Sequence, residues 1–390
     1  MFSNSFEDIL NSLPDLEESV KAQKEMLLAN LVMLGEIPAP TFEEEKRINF
    51  LIDRFKEAEL QKNSIDEVGN GIGLLAGEKG DGNILLVAHA DTVFDSKTDH
   101  TIQVQKDSVT GPGVADNSLG LSTVATLPTL LERLNIKFDD NIILMGATRS
   151  LGRGNLEGLR SFLSNYDKPI KAGVGLEGVE LGRLSHTSIG MKRGEIHCEV
   201  PEEYNWSRFG DASAILTLNE VINKINNIRL PQRPRTSIVM GSIKGGSSFN
   251  TTALKARLQF EIRSESSEQV QSIHQNFEEI VSEVAAKSGD AITLDIFAER
   301  EPGGIPYTHP LIRRTREIMD ELAIDPRPGP STSELSTFID RDIPAITLGL
   351  TEGDNIHEEN ETIKIKPMYK GIAQTIATLK AIDGGYCEET

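Results

Sequence analysis

A histidine and an aspartate follow an apolar segment of the chain and together could form part of a metal site. His89 and Asp91 come directly after the apolar run 84–88, which predicts a buried strand. Ligands of α/β proteins bind beyond the carboxyl ends of such strands, and a metal-bound histidine needs its second ring nitrogen held by an acceptor. We therefore expect His89 to bind a metal and Asp91 to orient the His89 ring. An ordinary polar strand end is the alternative.

Three later residues of the same chemical types stand beside glycines or after apolar stretches. Asp116 lies in the glycine-flanked turn 111–120, ahead of a helical pattern, so its carboxylate can approach a metal without obstruction. Glu177 follows an apolar stretch, and His357 lies in a late polar turn. The alternatives are a helix N-cap for Asp116 and solvated loops for the other two.

The order of these elements resembles that of the co-catalytic zinc peptidases and aminoacylases, a family that includes acetylornithine deacetylase, succinyl-diaminopimelate desuccinylase and carboxypeptidase G. The resemblance runs over nearly the whole chain. It implies that Asp116 bridges two zinc ions and is followed by a cis peptide bond. It also implies that His89 and Glu177 bind one ion and that His357 binds the other.

The resemblance extends to residues that contact substrate in the family. Asn250, in the segment 245–250, and Arg263, at the end of a predicted strand, match a family asparagine and arginine of this kind. Tyr204 stands where the family has a histidine that stabilises the reaction intermediate, and its hydroxyl could donate a hydrogen bond there. Arg149 is a further candidate, because its guanidinium would bind a carboxylate if it faced the cleft. Exposure of Arg149 to solvent is the alternative.

One motif departs from the family pattern. The family has a Glu-Glu pair after the third strand: the first Glu is the general base that activates the attacking water, and the second binds a zinc ion. Ser150 and Leu151 occupy these places here, and they offer neither a proton acceptor near neutral pH nor a metal-binding atom. The ligands that remain predict at most one zinc ion per chain, or none. Two ions would need another acid, such as Glu157 or Glu361.

Two functions are consistent with these residues. The first is a metal-dependent hydrolase of amide bonds in N-acyl amino acids or short peptides, with impaired or altered catalysis. The second is a catalytically inactive family member that binds an amino-acid-like or peptide ligand in the same cleft. General-base catalysis contributes a factor of about 10²–10⁴, so its loss need not abolish turnover.

Apolar periodicity predicts an α/β fold with two domains. Strand-like runs, including 84–88 and 142–145, alternate with helical patterns, including a helix over 119–134. The segment 41–44 predicts a capping box that opens another helix. Between 187 and 299 the order is β-α-β-β-α-β, which is typical of a ferredoxin-like domain. We therefore expect a catalytic domain with a mixed sheet, formed by 1–186 and 300–390. The inserted domain, 187–299, would be the lid that mediates dimerisation in many family members.

The composition excludes several partners. With 60 acidic residues against 40 basic ones, the formal net charge is −20, and such a field repels nucleic acid and anionic membranes. No segment reaches transmembrane length, and the beginning of the chain carries no signal-peptide pattern. Cys198 and Cys387 form no metal-binding pair and fit a reducing compartment. We expect a cytoplasmic protein that binds a small ligand and forms a homodimer through the lid.

Overall fold

The chain divides into two units, one of which is inserted into the other. The computed structural model describes residues 5–200 and 213–389. The core unit consists of Met1–Thr187 and Gly304–Thr390, and the inserted unit of Ser188–Gly303. The core unit is therefore built from two segments that are separated in sequence by the whole of the inserted unit.

Strands and helices carry numbers in chain order. The strands are β1 (Lys62–Ile65), β2 (Gly71–Leu75), β3 (Asn83–His89), β4 (Gln103–Val104), β5 (Ser108–Thr110), β6 (Asn141–Ala147), β7 (Ala172–Val179), β8 (Arg183–Ser188), β9 (Gly190–Glu199), β10 (Thr236–Gly245), β11 (Lys255–Ser264), β12 (Ala291–Arg300), β13 (Gly303–Gly304), β14 (Arg327–Ser331), β15 (Ala345–Thr351), β16 (Gly353–Asp354) and β17 (Thr362–Lys364). The helices are α1 (Phe6–Asn11), α2 (Leu13–Lys21), α3 (Lys24–Gly35), α4 (Glu45–Glu57), α5 (Leu119–Leu134), α6 (Glu157–Asn165), α7 (Ala214–Asn226), α8 (Ser267–Ser288), α9 (Pro310–Glu321), α10 (Leu335–Ile339) and α11 (Ile365–Asp383).

A mixed nine-stranded sheet forms the centre of the core unit. Its order is β1-β2-β6-β3-β7-β15-β8-β13, with β14 paired to β8, and β6, β3, β7 and β15 are parallel neighbours. Leu86 of β3 packs in the cluster that contains residues of α5 and α11, whereas Leu85 packs in the cluster that contains Phe162 and Phe338. Because both faces of the sheet are covered, its central strands are continuous apolar runs in the sequence.

The predicted α/β fold class and mixed sheet are confirmed. The strands expected at 84–88 and 142–145 are one or two residues longer at either end, and α5 has the predicted bounds. The predicted capping box at 41–44 is wrong. Helix α4 begins at Glu45 rather than directly after Thr41, with Glu44 at the N-cap position and no side-chain cap, and the Thr41 hydroxyl donates a hydrogen bond to Asp91.

A small antiparallel sheet joins two distant parts of the core unit. Its order is β16-β17-β5-β4, and Thr362 of β17 pairs with Thr110 of β5. The turn that carries Asp116 begins directly after β5, and the turn that carries His357 ends just before β17. This pairing therefore brings two candidate ligands to the same end of the core unit.

The inserted unit has the ferredoxin-like arrangement that the sequence predicts. Its four antiparallel strands lie in the order β10-β11-β9-β12, and α7 and α8 contribute to one core with them. Leu258, Phe260 and Ile262 alternate along β11 and are buried in that core, as expected for a strand with one covered face. Strand β10, at the end of the sheet, is largely exposed.

Helix α11 lies against β15 and is buried along most of its length. Within residues 5–200 and 213–389, no helix has both the length and the apolar composition needed to cross a bilayer. Cys198 and Cys387 are buried thiols that form no disulfide.

The close packing of α11 makes one of its glycines sensitive to substitution. A Cβ added at Gly371 would lie 1.9 Å from the carbonyl oxygen of Leu350 in β15. We expect Gly371→Ala to lower the free energy of unfolding by about 1–3 kcal/mol, because the backbone must shift to admit the methyl group. Gly329→Ala is the control, since a Cβ there meets nothing within 4 Å. Equal thermal unfolding midpoints for the two variants would contradict this packing.

Candidate metal centre

Three side chains converge at the carboxyl ends of the parallel strands. His89 is the last residue of β3, Glu177 lies near the end of the adjacent β7, and Asp116 lies in the turn before α5. One donor atom from each of them lies within 4.8 Å of the other two. Imidazole nitrogen and carboxylate oxygen are both zinc ligands, so these residues fit a divalent metal ion.

The turn that carries Asp116 is fixed by its neighbours. Gly113 has a φ of 68°, in the left-handed region that favours glycine, and the peptide bond between Asp116 and Asn117 is cis, as the family resemblance implies. The Asn117 side chain donates to the Leu176 carbonyl oxygen at 2.7 Å and accepts from the Gly120 amide at 3.1 Å. Asn117, and not Asp116, therefore binds an amide of the first turn of α5.

The Asp116 carboxylate lies between two imidazoles. Its Oδ1 is 3.0 Å from His89 Nε2, and its Oδ2 is 2.8 Å from His357 Nε2. The His89 side chain is 4% exposed and the His357 side chain 59%, so the second imidazole stands at the open side of the centre. This is the arrangement that the family resemblance gives to the bridging carboxylate.

Burial, mutual hydrogen bonds and neighbouring charges shift the pKa values of His89, Asp116 and Glu177. Burial acts to lower the pKa of His89, but hydrogen bonds to Asp116 and Asp91 outweigh it and raise that pKa well above its usual value. Burial acts to raise the pKa of Asp116, but the two histidines hold it below its usual value. Burial, reinforced by the Asp116 charge, raises the pKa of Glu177 to about 7. A metal ion must therefore compete with protons for His89 and Glu177.

Asp91 contacts both His89 and the loop that follows β6. Its main-chain carbonyl oxygen lies 2.9 Å from His89 Nδ1, and its Oδ1 lies 3.5 Å from the same nitrogen. Its carboxylate accepts hydrogen bonds from the Thr41 hydroxyl and from the amides of Ser150 and Leu151, at 2.8, 3.2 and 2.8 Å. Asp91 therefore orients His89 chiefly through its backbone, while its side chain holds the loop.

The loop after β6 has a firmly held backbone, and its side chains at 150 and 151 are chemically inert. The Arg149 amide donates to Glu44 at 2.8 Å, and the next two amides donate to Asp91. Burial raises the pKa of the Glu44 carboxyl. The Ser150 hydroxyl is buried and has no hydrogen-bond partner within the described part of the chain. The loop thus offers the centre neither a proton acceptor at 150 nor a ligand at 151.

The two acids named as replacement ligands are engaged elsewhere. Glu157 pairs with the Arg149 guanidinium at 2.8 Å, and Glu361 accepts three backbone amides through its two oxygens. The Arg149 guanidinium also lies 5.8 Å from the centre of the Phe42 ring. Its partners are therefore a neighbouring acid and an aromatic ring, and its binding of a substrate carboxylate stays a prediction.

Two further charged residues lie near the cluster, and neither belongs to a motif that the sequence analysis identified. Arg183 is 3.9 Å from Glu177 and pairs more closely with Glu180, at 2.6 Å. Glu334, ahead of α10, is buried, and among the described residues its Oε1 has no hydrogen-bond partner. Its charge acts to raise the pKa of both His89 and Glu177. Sequence reasoning missed both residues, because only the tertiary fold brings them to this place.

Two of the predicted substrate-binding residues belong to the inserted unit. Arg263, in the inserted unit, donates from Nε to Glu261. Asn250, in the same unit, accepts from the Ser248 hydroxyl at 3.0 Å. Tyr204 lies outside the described residues. The predicted site residues that the structure brings together are His89, Asp91, Asp116, Ser150, Glu177 and His357.

Comparison with known proteins gives matches in both sequence and fold. The family model described as a peptidase dimerisation domain matches residues 209–289. A LysW-lysine/LysW-ornithine hydrolase from Saccharolobus islandicus is 23% identical over 300 residues, which cover 75% of this chain and 79% of that protein.

Solved structures extend the similarity over almost the whole chain. The di-peptidase Dug1p from Saccharomyces cerevisiae has a TM-score of 0.78 at 13% identity, covering 95% of this chain and 98% of that one. The YXEP protein of Bacillus subtilis, described as a dinuclear metal binding peptidase from the M20 family, has a TM-score of 0.63 at 14% identity, covering 92% and 99%. At these identities the structures show a shared fold. Together with the matched domain and the related hydrolase, they confirm the resemblance of this chain to the co-catalytic zinc peptidases and aminoacylases that the motifs indicate.

Proposed function

We propose that the protein is a metal-dependent hydrolase of amide bonds in N-acyl amino acids or short peptides, with impaired catalysis. The observation that carries this proposal is the convergence of His89, Asp116 and Glu177 beyond the parallel strands. The related hydrolase and the di-peptidase of similar fold support the reaction class. The proposed metal is zinc, at most one ion per chain, because three nitrogen and oxygen ligands suit an open zinc site.

Different residues of the chain would bind the metal ion, orient its ligands and contact the substrate. His89, Asp116 and Glu177 would hold the ion, and Asp91 fixes the ring orientation of His89. A zinc ion at this place supplies Lewis-acid polarisation of the substrate carbonyl. The residues proposed to contact substrate are Asn250, Arg263 and Arg149, with Tyr204 donating a hydrogen bond to the reaction intermediate.

Catalysis is proposed to be impaired because the side chain that would activate water is missing. Ser150 offers a hydroxyl in place of a carboxylate, and a neutral hydroxyl does not accept a proton near pH 7. Loss of a general base costs a factor of about 10²–10⁴ in rate. The same observation favours a second candidate function, an inactive family member that binds an amino-acid-like or peptide ligand in the same cleft.

The ligand set predicts a low metal content. Purified without added metal, the protein is expected to hold no more than one divalent ion per chain, because Leu151 offers no donor atom and Asp116 with His357 cannot complete a tetrahedral shell. Elemental analysis after gel filtration measures this ratio. After incubation with zinc, His89→Ala should retain less metal than His197→Ala, which alters a histidine of the inserted unit. Two tightly held ions per chain would contradict the ligand count.

Because the backbone of the loop after β6 is firmly held, we expect that substitution of the side chains at 150 and 151 alone can restore hydrolysis. The unchanged protein should hydrolyse N-acyl amino acids and dipeptides very slowly or not at all. Ser150→Glu combined with Leu151→Glu is expected to raise the rate about 10²-fold or more, because the amides that fix this loop bind Asp91 whatever side chain follows. Either substitution alone should do little, since base and metal act as one unit. A substrate panel assayed with zinc, cobalt or manganese gives the comparison.

A matched variant controls for the size of the new side chains. Ser150→Gln with Leu151→Gln introduces the same bulk without a carboxylate and should stay as slow as the unchanged protein. Robust, chelator-sensitive turnover by the unchanged protein would show that another residue activates water, with Glu334 the first to replace. No gain in the glutamate variant would favour the second candidate function.

We propose further that the protein forms a homodimer through the inserted unit. The matched family model is that of a peptidase dimerisation domain. Strand β10 ends the sheet of this unit, and its Val239, Met240 and Ile243 are 40%, 36% and 55% exposed. An edge strand with unpaired backbone groups and exposed apolar side chains is a surface for pairing with another strand.

Charges on this edge should prevent the association. Val239→Lys with Ile243→Lys is expected to convert the dimer into a monomer, because two ammonium groups would have to lose their hydration in the paired edge. Light scattering on gel-filtered protein distinguishes 42.8 kDa from twice that mass. Ser64→Lys with Ile65→Lys is the control, since it places the same two charges on the exposed edge strand β1 of the core unit. A monomeric unchanged protein at micromolar concentration would contradict the dimer.

A further inference from the structure

Glu361 is a buried carboxylate that lies between the two turns of the metal centre. It is 0% exposed and directly precedes β17. Its Oε2 accepts the amide hydrogens of Ala115 and Asp116 at 2.9 and 3.1 Å, and its Oε1 accepts that of His357 at 2.8 Å. One side chain thus holds both of the turns that present Asp116 and His357 to each other.

The backbone around Glu361 reinforces this connection. The Glu361 carbonyl oxygen accepts the amide of Gly111 at 2.9 Å, where the Asp116 turn begins. His357 has a φ of 69°, a left-handed conformation that is uncommon for a residue with a Cβ. Because this conformation is unfavourable by itself, it persists only where the surroundings select it. The bond from the His357 amide to Glu361 is one such contact.

Neither metal binding nor packing accounts for these contacts. Both Glu361 oxygens are bound to backbone amides, and the cluster of converging donor atoms contains His89, Asp116 and Glu177 instead. A buried carboxylate is costly compared with an apolar side chain unless the bonds that it makes compensate. Among the described residues, the side-chain hydrogen bonds of Glu361 end on the turns of Asp116 and His357.

We propose that Glu361 is a positioning residue that fixes the Asp116 and His357 side chains relative to each other and so sets the affinity of the centre for a divalent ion. This inference rests on the metal centre of the proposed function. Residues that orient metal ligands without touching the metal change its affinity by about 10–100-fold when they are replaced. Glu361 does so by holding two backbone turns together.

Glu361→Gln tests this role in the full-length protein. The new amide oxygen can still accept from one turn, but its NH₂ group faces the N–H groups of the other, so the turns are no longer joined. We expect the dissociation constant for Zn²⁺, measured by calorimetric titration, to rise about 10–100-fold. Hydrogen exchange of the Ala115, Asp116 and His357 amides should also become faster. Glu358→Gln, at an exposed position of the same turn, removes the same charge and should change neither quantity.

Thermal unfolding in EDTA, where no metal is bound, measures how far Glu361→Gln lowers the stability of the protein itself. The loss of Zn²⁺ affinity can then be distinguished from a general loss of stability. A Zn²⁺ affinity in Glu361→Gln that falls no further than in the Glu358→Gln control would overturn the proposal. If Glu361→Gln does not fold, Glu361→Asp keeps the charge but is one methylene shorter and reaches only one turn, so the same loss of affinity is expected.

Zn²⁺ binding by the unchanged protein tests the proposed function separately from the role of Glu361. If the unchanged protein binds no Zn²⁺, the metal centre is wrong, and amide exchange alone then decides the role of Glu361. Faster exchange at Asp116 and His357 in Glu361→Gln, with unchanged exchange at Leu86 in the sheet, would support positioning. Equal exchange rates in the two proteins would overturn it.

Discussion

Buried carboxylates bind the backbone amides beyond the parallel strands, and these bonds hold the loop and the turns around the candidate metal centre. Glu44 and Asp91 hold three consecutive amides of the loop after β6, and Glu361 holds three amides of the turns around Asp116 and His357. A hydrogen bond to a charged group contributes about 1.5–3 kcal/mol, and removing the acceptor leaves a buried amide unsatisfied. These connections are therefore part of the rigid framework, although they lie where α/β proteins carry function.

The loop after β6 is held through its own backbone amides and not through its own side chains at 150 and 151. These two side chains can therefore change without loss of the hydrogen bonds that fix the loop. Ser150 and Leu151 occupy a backbone whose hydrogen bonds do not depend on their side chains. The candidate ligands are fixed differently: His89 and Glu177 belong to the strands β3 and β7 themselves. The candidate metal ligands and the loop that carries Ser150 thus rest on separate elements, so a substitution in one need not disturb the other.

The strands and the converging side chains could be predicted because their signals are local. The apolar run before His89 and the glycines around Asp116 are visible in short windows, and the bounds of the central strands differ from the structure by two residues at most. The contacts of Glu361 could not be predicted, because two of the three amides that it binds lie more than two hundred residues away in the chain. Thr41 fits a local helix-start pattern, but the helix begins only at Glu45, and Thr41 contacts Asp91, fifty residues away in the chain. The choice of Arg149 between its neighbouring acid and the cleft also depends on the folded structure.

The insertion also determines the order in which the parts of the chain can be completed during synthesis. Strand β15 lies between β7 and β8 in the middle of the core sheet, yet it follows the whole inserted unit in sequence. The inserted unit is one continuous segment whose strands pair with one another, and such units fold as soon as they have emerged. The core sheet, in contrast, keeps β7 as an unpaired apolar edge until residues 345–351 have been made. Open edges of this kind promote aggregation, so the nascent chain is most vulnerable while its inserted unit is already complete.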